Sequence, residues 1–91
     1  MDTANQWQDA YLLLDDFIEE LNVNSYGQME TSFRFRDKYL ELKDTYNGNL
    51  DLELVELFDF IRFSLSTCSS ITMATRLLSE GAILAGLRRI I

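Results

Sequence analysis

The segment Trp7-Gln8-Asp9-Ala10-Tyr11-Leu12-Leu13-Leu14-Asp15-Asp16-Phe17-Ile18-Glu19-Glu20-Leu21 sets the fold class. At about 100° per residue, Trp7, Ala10, Tyr11, Leu14, Phe17, Ile18 and Leu21 fall on one arc about 120° wide. No other stretch has so clean a helical period. A helix is expected over 3–21, with Thr3 and Gln6 spaced as a capping box. Asn22-Val23-Asn24-Ser25-Tyr26-Gly27 ends it, because Asn and Gly accept left-handed backbone at low cost.

Three further helices are expected downstream. Over 28–46, Phe35, Tyr39, Leu42 and Tyr46 form one apolar arc and Met29, Phe33 and Leu40 a second, the pattern of a helix between two neighbours. The alternation Phe33-Arg34-Phe35-Arg36 followed by Leu40-Glu41-Leu42 leaves a β-hairpin over 33–42 as the alternative, although Asp37-Lys38 lacks the glycine of a two-residue turn. Asn47-Gly48-Asn49 breaks the chain and offers Asn49 as a cap for a third helix over 50–66. That helix is apolar on nearly every side, which predicts a central position or a partner. The fourth, over 71–89, combines leucines with Gly81, Ala82, Ala85 and Gly86, small residues that permit close backbone approach. The expectation is an all-α, mostly antiparallel four-helix bundle. Its core is expected at Trp7, Tyr11, Leu14, Phe17, Ile18 and Leu21, then Phe35, Tyr39 and Leu42. Leu54, Leu57, Phe58, Ile61 and Leu65 continue it, with Leu77, Leu78 and Leu84 from the last helix.

Ninety-one residues suit one helical domain over 1–91. A composition 47% apolar and 12% aromatic, without proline, excludes disorder and collagen-like repeats. The chain has no histidine, which removes the usual neutral-pH base, the commonest transition-metal ligand and the histidine-dependent nucleophilic sites. Cys68 has no second cysteine to pair with, and a small buried hydrophobe is its ordinary role. Neither a secretory leader nor a membrane span is read in the sequence, and a cytoplasmic location is expected. No cofactor and no enzymatic activity are expected.

Two metal motifs fail. Placing Gly48 at the sixth position of a calcium loop puts Lys43 first and Leu54 twelfth, where oxygen ligands are required. Asp15, Asp16, Glu19 and Glu20 have no second ligand cluster, so a solvated face is their default.

Charge placement is the sequence's most informative feature. The chain carries a net −7. Asp2, Asp9, Asp15, Asp16, Glu19 and Glu20 crowd the first helix with no lysine or arginine among them, whereas residues 60–91 hold four arginines against Glu80 alone. Asp15/Glu19 and Asp16/Glu20 are like-charge pairs one turn apart, each destabilising by about 0.2–0.5 kcal/mol in an isolated helix. They also lie toward the helix C-terminus, where the macrodipole disfavours anions. Arg76, Arg88 or Arg89 across the bundle, or simply water, would compensate them; the functional reading is that a basic partner protein docks on this face.

Leu12 lies among Asp9, Asp16 and Glu19 and has the format of an apolar anchor inside a charged rim. The expected partner-binding residues are therefore Asp9, Leu12, Asp16, Glu19 and Glu20. The expected function is a small acidic module that inhibits, neutralises or adapts a basic protein by steric occlusion. The net negative charge argues against direct binding of nucleic acid or an anionic membrane. A homodimer through the third and fourth helices is the alternative, with Leu87, Ile90 and Ile91 as its self-association residues. Mimicry of nucleic acid by helical carboxylates is a third reading.

Overall fold

The computed structural model describes residues 3–89, and among these the chain forms α1 (Thr3–Val23), α2 (Gln28–Thr45), α3 (Leu52–Thr67) and α4 (Ile71–Arg88). Side chains tie neighbouring helices in antiparallel register, the Tyr46 hydroxyl just past α2 donating to Asp9 near the start of α1. Glu20, late in α1, meets Lys38 of α2 at 3.3 Å, and Gln28 at the start of α2 donates to the Ser66 carbonyl at 2.6 Å. Arg88 at the end of α4 pairs with Glu53 at the start of α3 and lies 5.8 Å from the Trp7 ring of α1. The result is an antiparallel four-helix bundle, and residues 33–42 are helix rather than hairpin.

Each helix contributes one buried stripe. Trp7, Ala10, Leu14, Phe17 and Leu21 supply it in α1, and Phe35, Tyr39 and Leu42 in α2. Leu54, Phe58, Ile61 and Leu65 supply it in α3. Aromatic rings run through the centre, with Phe35 5.7 Å from Phe17 and 5.5 Å from Phe58, and Tyr39 5.2 Å from Phe58. These offset and tilted separations suit the ring quadrupoles better than face-to-face stacking would. The third helix is not central. Its opposite side leaves Leu52, Phe60 and Phe63 in solvent, because in a ring of four helices each presents only one face to the core.

The fourth helix follows its sequence reading in packing small residues closely and departs from it at Leu84. Ala74, Leu78, Gly81, Ala82 and Ala85 point inward, and Leu84, expected in the core, is 42% exposed. Close approach explains the choice. A β-carbon on Gly81 would lie 2.8 Å from Ile61 Cδ1 and 3.6 Å from Leu14 Cδ1, and one on Gly86 would lie 3.3 Å from Tyr11 Cδ1. Alanine and glycine inside let α4 press against α1 and α3; apart from Leu78 and the half-buried Leu77, its large residues are turned out. Tyr11, Ile18, Leu57 and Leu77 pack half-buried at the core's edge.

Two caps also differ from their sequence reading. Gln6 is not committed to a capping box with Thr3. It is buried, and its amide clamps the α2–α3 turn, donating to the Asn49 carbonyl at 2.9 Å and accepting the Asp51 N–H at 2.7 Å. Trp7 Nε1 donates to Asp51 Oδ2 at 3.0 Å. Asp51, rather than Asn49, is therefore the N-cap of α3, and its carboxylate serves the indole instead of its own helix. The turn itself follows expectation: Asn47 and Gly48 adopt φ of 55° and 81°, and the Gly48 N–H donates to the Lys43 carbonyl at 2.8 Å. At the α3–α4 connection Ser70 Oγ accepts the Met73 N–H at 3.2 Å and caps α4.

Two substitutions test this architecture. Gly81→Leu is expected to overpack the seam against Ile61 and lower unfolding free energy by about 1–3 kcal/mol in urea titration. Gln6→Met retains the apolar volume but strands the turn's N–H and carbonyl, with an expected loss of about 1–3 kcal/mol. Wild-type midpoints in both variants would refute these roles.

Candidate functional site

The buried stripe of α1 fixes what its other side shows. Leu12 lies opposite the stripe and is 44% exposed, with Asp15, Asp16 and Glu19 exposed around it. Among the described residues these three carboxylates form no ion pair. The five residues nominated from sequence thus divide. Leu12, Asp16 and Glu19 share the outward surface, whereas Asp9 and Glu20 turn toward α2. Asp9 accepts a hydrogen bond from the Tyr46 hydroxyl. Glu20 is held by Lys38 at 3.3 Å and by Arg34 at 3.9 Å.

Arginines of the tail do not neutralise this face. Arg88 is engaged with Glu53, and Arg89 sits 4.0 Å over the Tyr11 ring with Nη1 3.4 Å from the Gln8 side chain. Internal compensation comes instead from α2, and it reaches only the edge of the acidic surface. That same edge contains a residue the sequence reading missed. Glu41 of α2 joins Asp9, Asp16 and Lys38 around a shallow α1–α2 groove floored by Leu13 and Leu42. Antiparallel packing of α1 on α2 was the signal that could have found Glu41, because it brings the middle of α2 alongside Asp16. No group of three or more candidate metal ligands gathers among the described residues.

A second surface lies across the molecule on α3 and α4. Leu87 is 58% exposed there; Ile90 and Ile91 lie outside the described residues. Phe60, Met73, Ile83 and Leu84 are exposed as well. Between the two helices runs an open groove lined by Ser64 and Thr67 on one side and by Met73, Arg76, Leu77 and Glu80 on the other. Cys68, half-buried at the end of α3, borders the same groove. None of the described helices is long and apolar enough to cross a membrane.

Compared with protein-family models, curated proteins and solved structures, the chain matches none.

The α2–α3 seam contains the most perturbed titratable group. Tyr39 is fully buried, with its hydroxyl near Asp59 and Arg62. Burial first, and the Asp59 carboxylate second, push its pKa well above the ordinary 10.0. Folding therefore favours the protonated phenol. That contribution is in full force below pH 10.0 and is lost as pH climbs from there toward the higher native value. Tyr39→Phe is expected to make the alkaline fall in urea midpoint shallower, since the phenol whose ionisation folding opposes is gone. An unchanged alkaline slope would contradict this account.

Proposed function

We propose that the protein is a binding module for a basic partner protein, which it inhibits, neutralises or adapts by occluding the partner's surface. The observation that carries this reading is the exposed Leu12 set among Asp15, Asp16 and Glu19, carboxylates that form no ion pair among the described residues. Like charges a turn apart near a helix C-terminus destabilise the helix that bears them. A cationic surface brought up by a partner would reverse that penalty. Long-range attraction by the rim accelerates encounter, and burial of Leu12 slows escape. The α1–α2 groove adds Glu41 to the rim. Asp9 and Glu20 contribute field but keep their internal partners. A lone, half-buried thiol fits a reducing compartment, and we place the module in a cytosol.

Charge reversal tests the proposal. The probe is a helical peptide that displays lysines around a leucine row, with association followed by stopped-flow fluorescence at rising salt. Asp16→Lys with Glu19→Lys is expected to slow association about tenfold and to flatten its salt dependence. Glu20 is left intact because it holds Lys38 and Arg34. The control reversal, Asp44→Lys with Glu56→Lys, changes charge equally on other helices and is expected to have a smaller effect. Equal effects of the two reversals would show nonspecific attraction to an acidic protein and remove α1 as the binding face.

A further inference from the structure

The outer side of α4 carries a second apolar row, distinct from its buried stripe of small residues. Met73, Leu77, Glu80, Leu84 and Leu87 follow one another at alternating steps of four and three. This is the 3.5-residue spacing that seats one helix along another, knobs into holes, over successive turns. Met73, Leu84 and Leu87 are 53%, 42% and 58% exposed, and Leu77 lines the open groove beside α3. Phe60 of α3, 60% exposed, stands on the same side. Scattered exposed leucines are ordinary; a row with coiled-coil spacing along an open groove has the format of a surface that seats another helix.

We infer that a second copy of this chain covers this surface, its α4 lying antiparallel along the groove in a two-fold dimer. Charge makes the surface complementary to itself. Glu80 interrupts the apolar row and Arg76 lies one turn before it. Both are exposed, and neither has an ion-pair or hydrogen-bond partner among the described residues. An antiparallel pairing centred between Leu77 and Glu80 sets Glu80 of each copy beside Arg76 of the other, and sets Leu84 against Met73. Each Arg76 and each Glu80 then meets its opposite once, giving two ion pairs, one on each side of the axis. Such an isologous contact closes at two copies and builds no filament. It leaves Leu12 and its carboxylates uncovered on both copies, so a dimer presents two α1 faces.

Sedimentation equilibrium and light scattering over a wide concentration range test the inference. Wild type is expected at twice 10.6 kDa. Leu84→Glu is expected to yield a monomer with unchanged helical circular dichroism. Arg76→Glu and Glu80→Arg, each placing like charges together, are each expected to weaken the dimer about tenfold or more. The double swap, Arg76→Glu with Glu80→Arg, is expected to restore it. Asp16→Lys with Glu19→Lys is expected to leave the mass unchanged, which separates this result from the fate of the α1 proposal. A wild-type monomer at the highest concentration overturns the inference, as does a dimer that survives Leu84→Glu. Failure of the double swap to recover overturns the antiparallel register.

Discussion

Close contact between α4 and its two neighbours governs this molecule. Gly81 sits where any β-carbon would press on Ile61, and Gly86 sits tight against Tyr11. With Ala74, Ala82 and Ala85 they let α4 settle deeply on α1 and α3. A helix has one inward side. With small residues and Leu78 occupying it, most of the other bulky ones face water or another molecule. Exposed Leu84 and Leu87 are thus the direct counterpart of a dense interior.

The cations of this chain are spent mainly on rings and edges. Arg34 lies 4.3 Å from the Tyr26 ring, Lys43 4.5 Å from Tyr39 and Arg89 4.0 Å from Tyr11. Such contacts contribute about 0.5–1 kcal/mol each at exposed sites and cover aromatic surface, but they leave carboxylates elsewhere unbalanced. The outward side of α1 is where that imbalance concentrates. Strong negative potential there and apolar surface on α3 and α4 divide the exterior into two chemically different regions. An acidic surface favours cationic partners, whereas the apolar one favours a helix of matching spacing.

How much of this was legible in the sequence depended on whether a pattern had one reading or two. The α1 stripe had one, and Trp7, Leu14, Phe17 and Leu21 are buried as its spacing requires. Asn47-Gly48 had one as well, because positive φ is rarely tolerated by other residues. In α4 the small residues and Leu78 were legible as a close-packed stripe, whereas Leu84 lies off that stripe and was assigned to the core on hydrophobicity alone. Gln6 was ambiguous for a related reason. Its spacing from Thr3 fits a local cap, yet a turn distant in sequence offered its amide two partners at once. On the α1 face the exposure of Leu12 followed directly from the helical wheel. The pairing of Glu20 with Lys38 did not, since it required knowing which helix lies alongside.

The second turn of α1 and the end of α4 lie together, joined by Arg88 over Trp7 and by Arg89 beside Gln8. An inserted copy of this bundle would therefore leave and rejoin a host protein's surface at nearly one place. It could occupy a single loop without prying that host apart, and the host would display both outer regions like an inlay. Splicing the two ends and reopening the chain at the exposed α1–α2 connection would likewise preserve every helix, giving the same architecture from a reordered sequence.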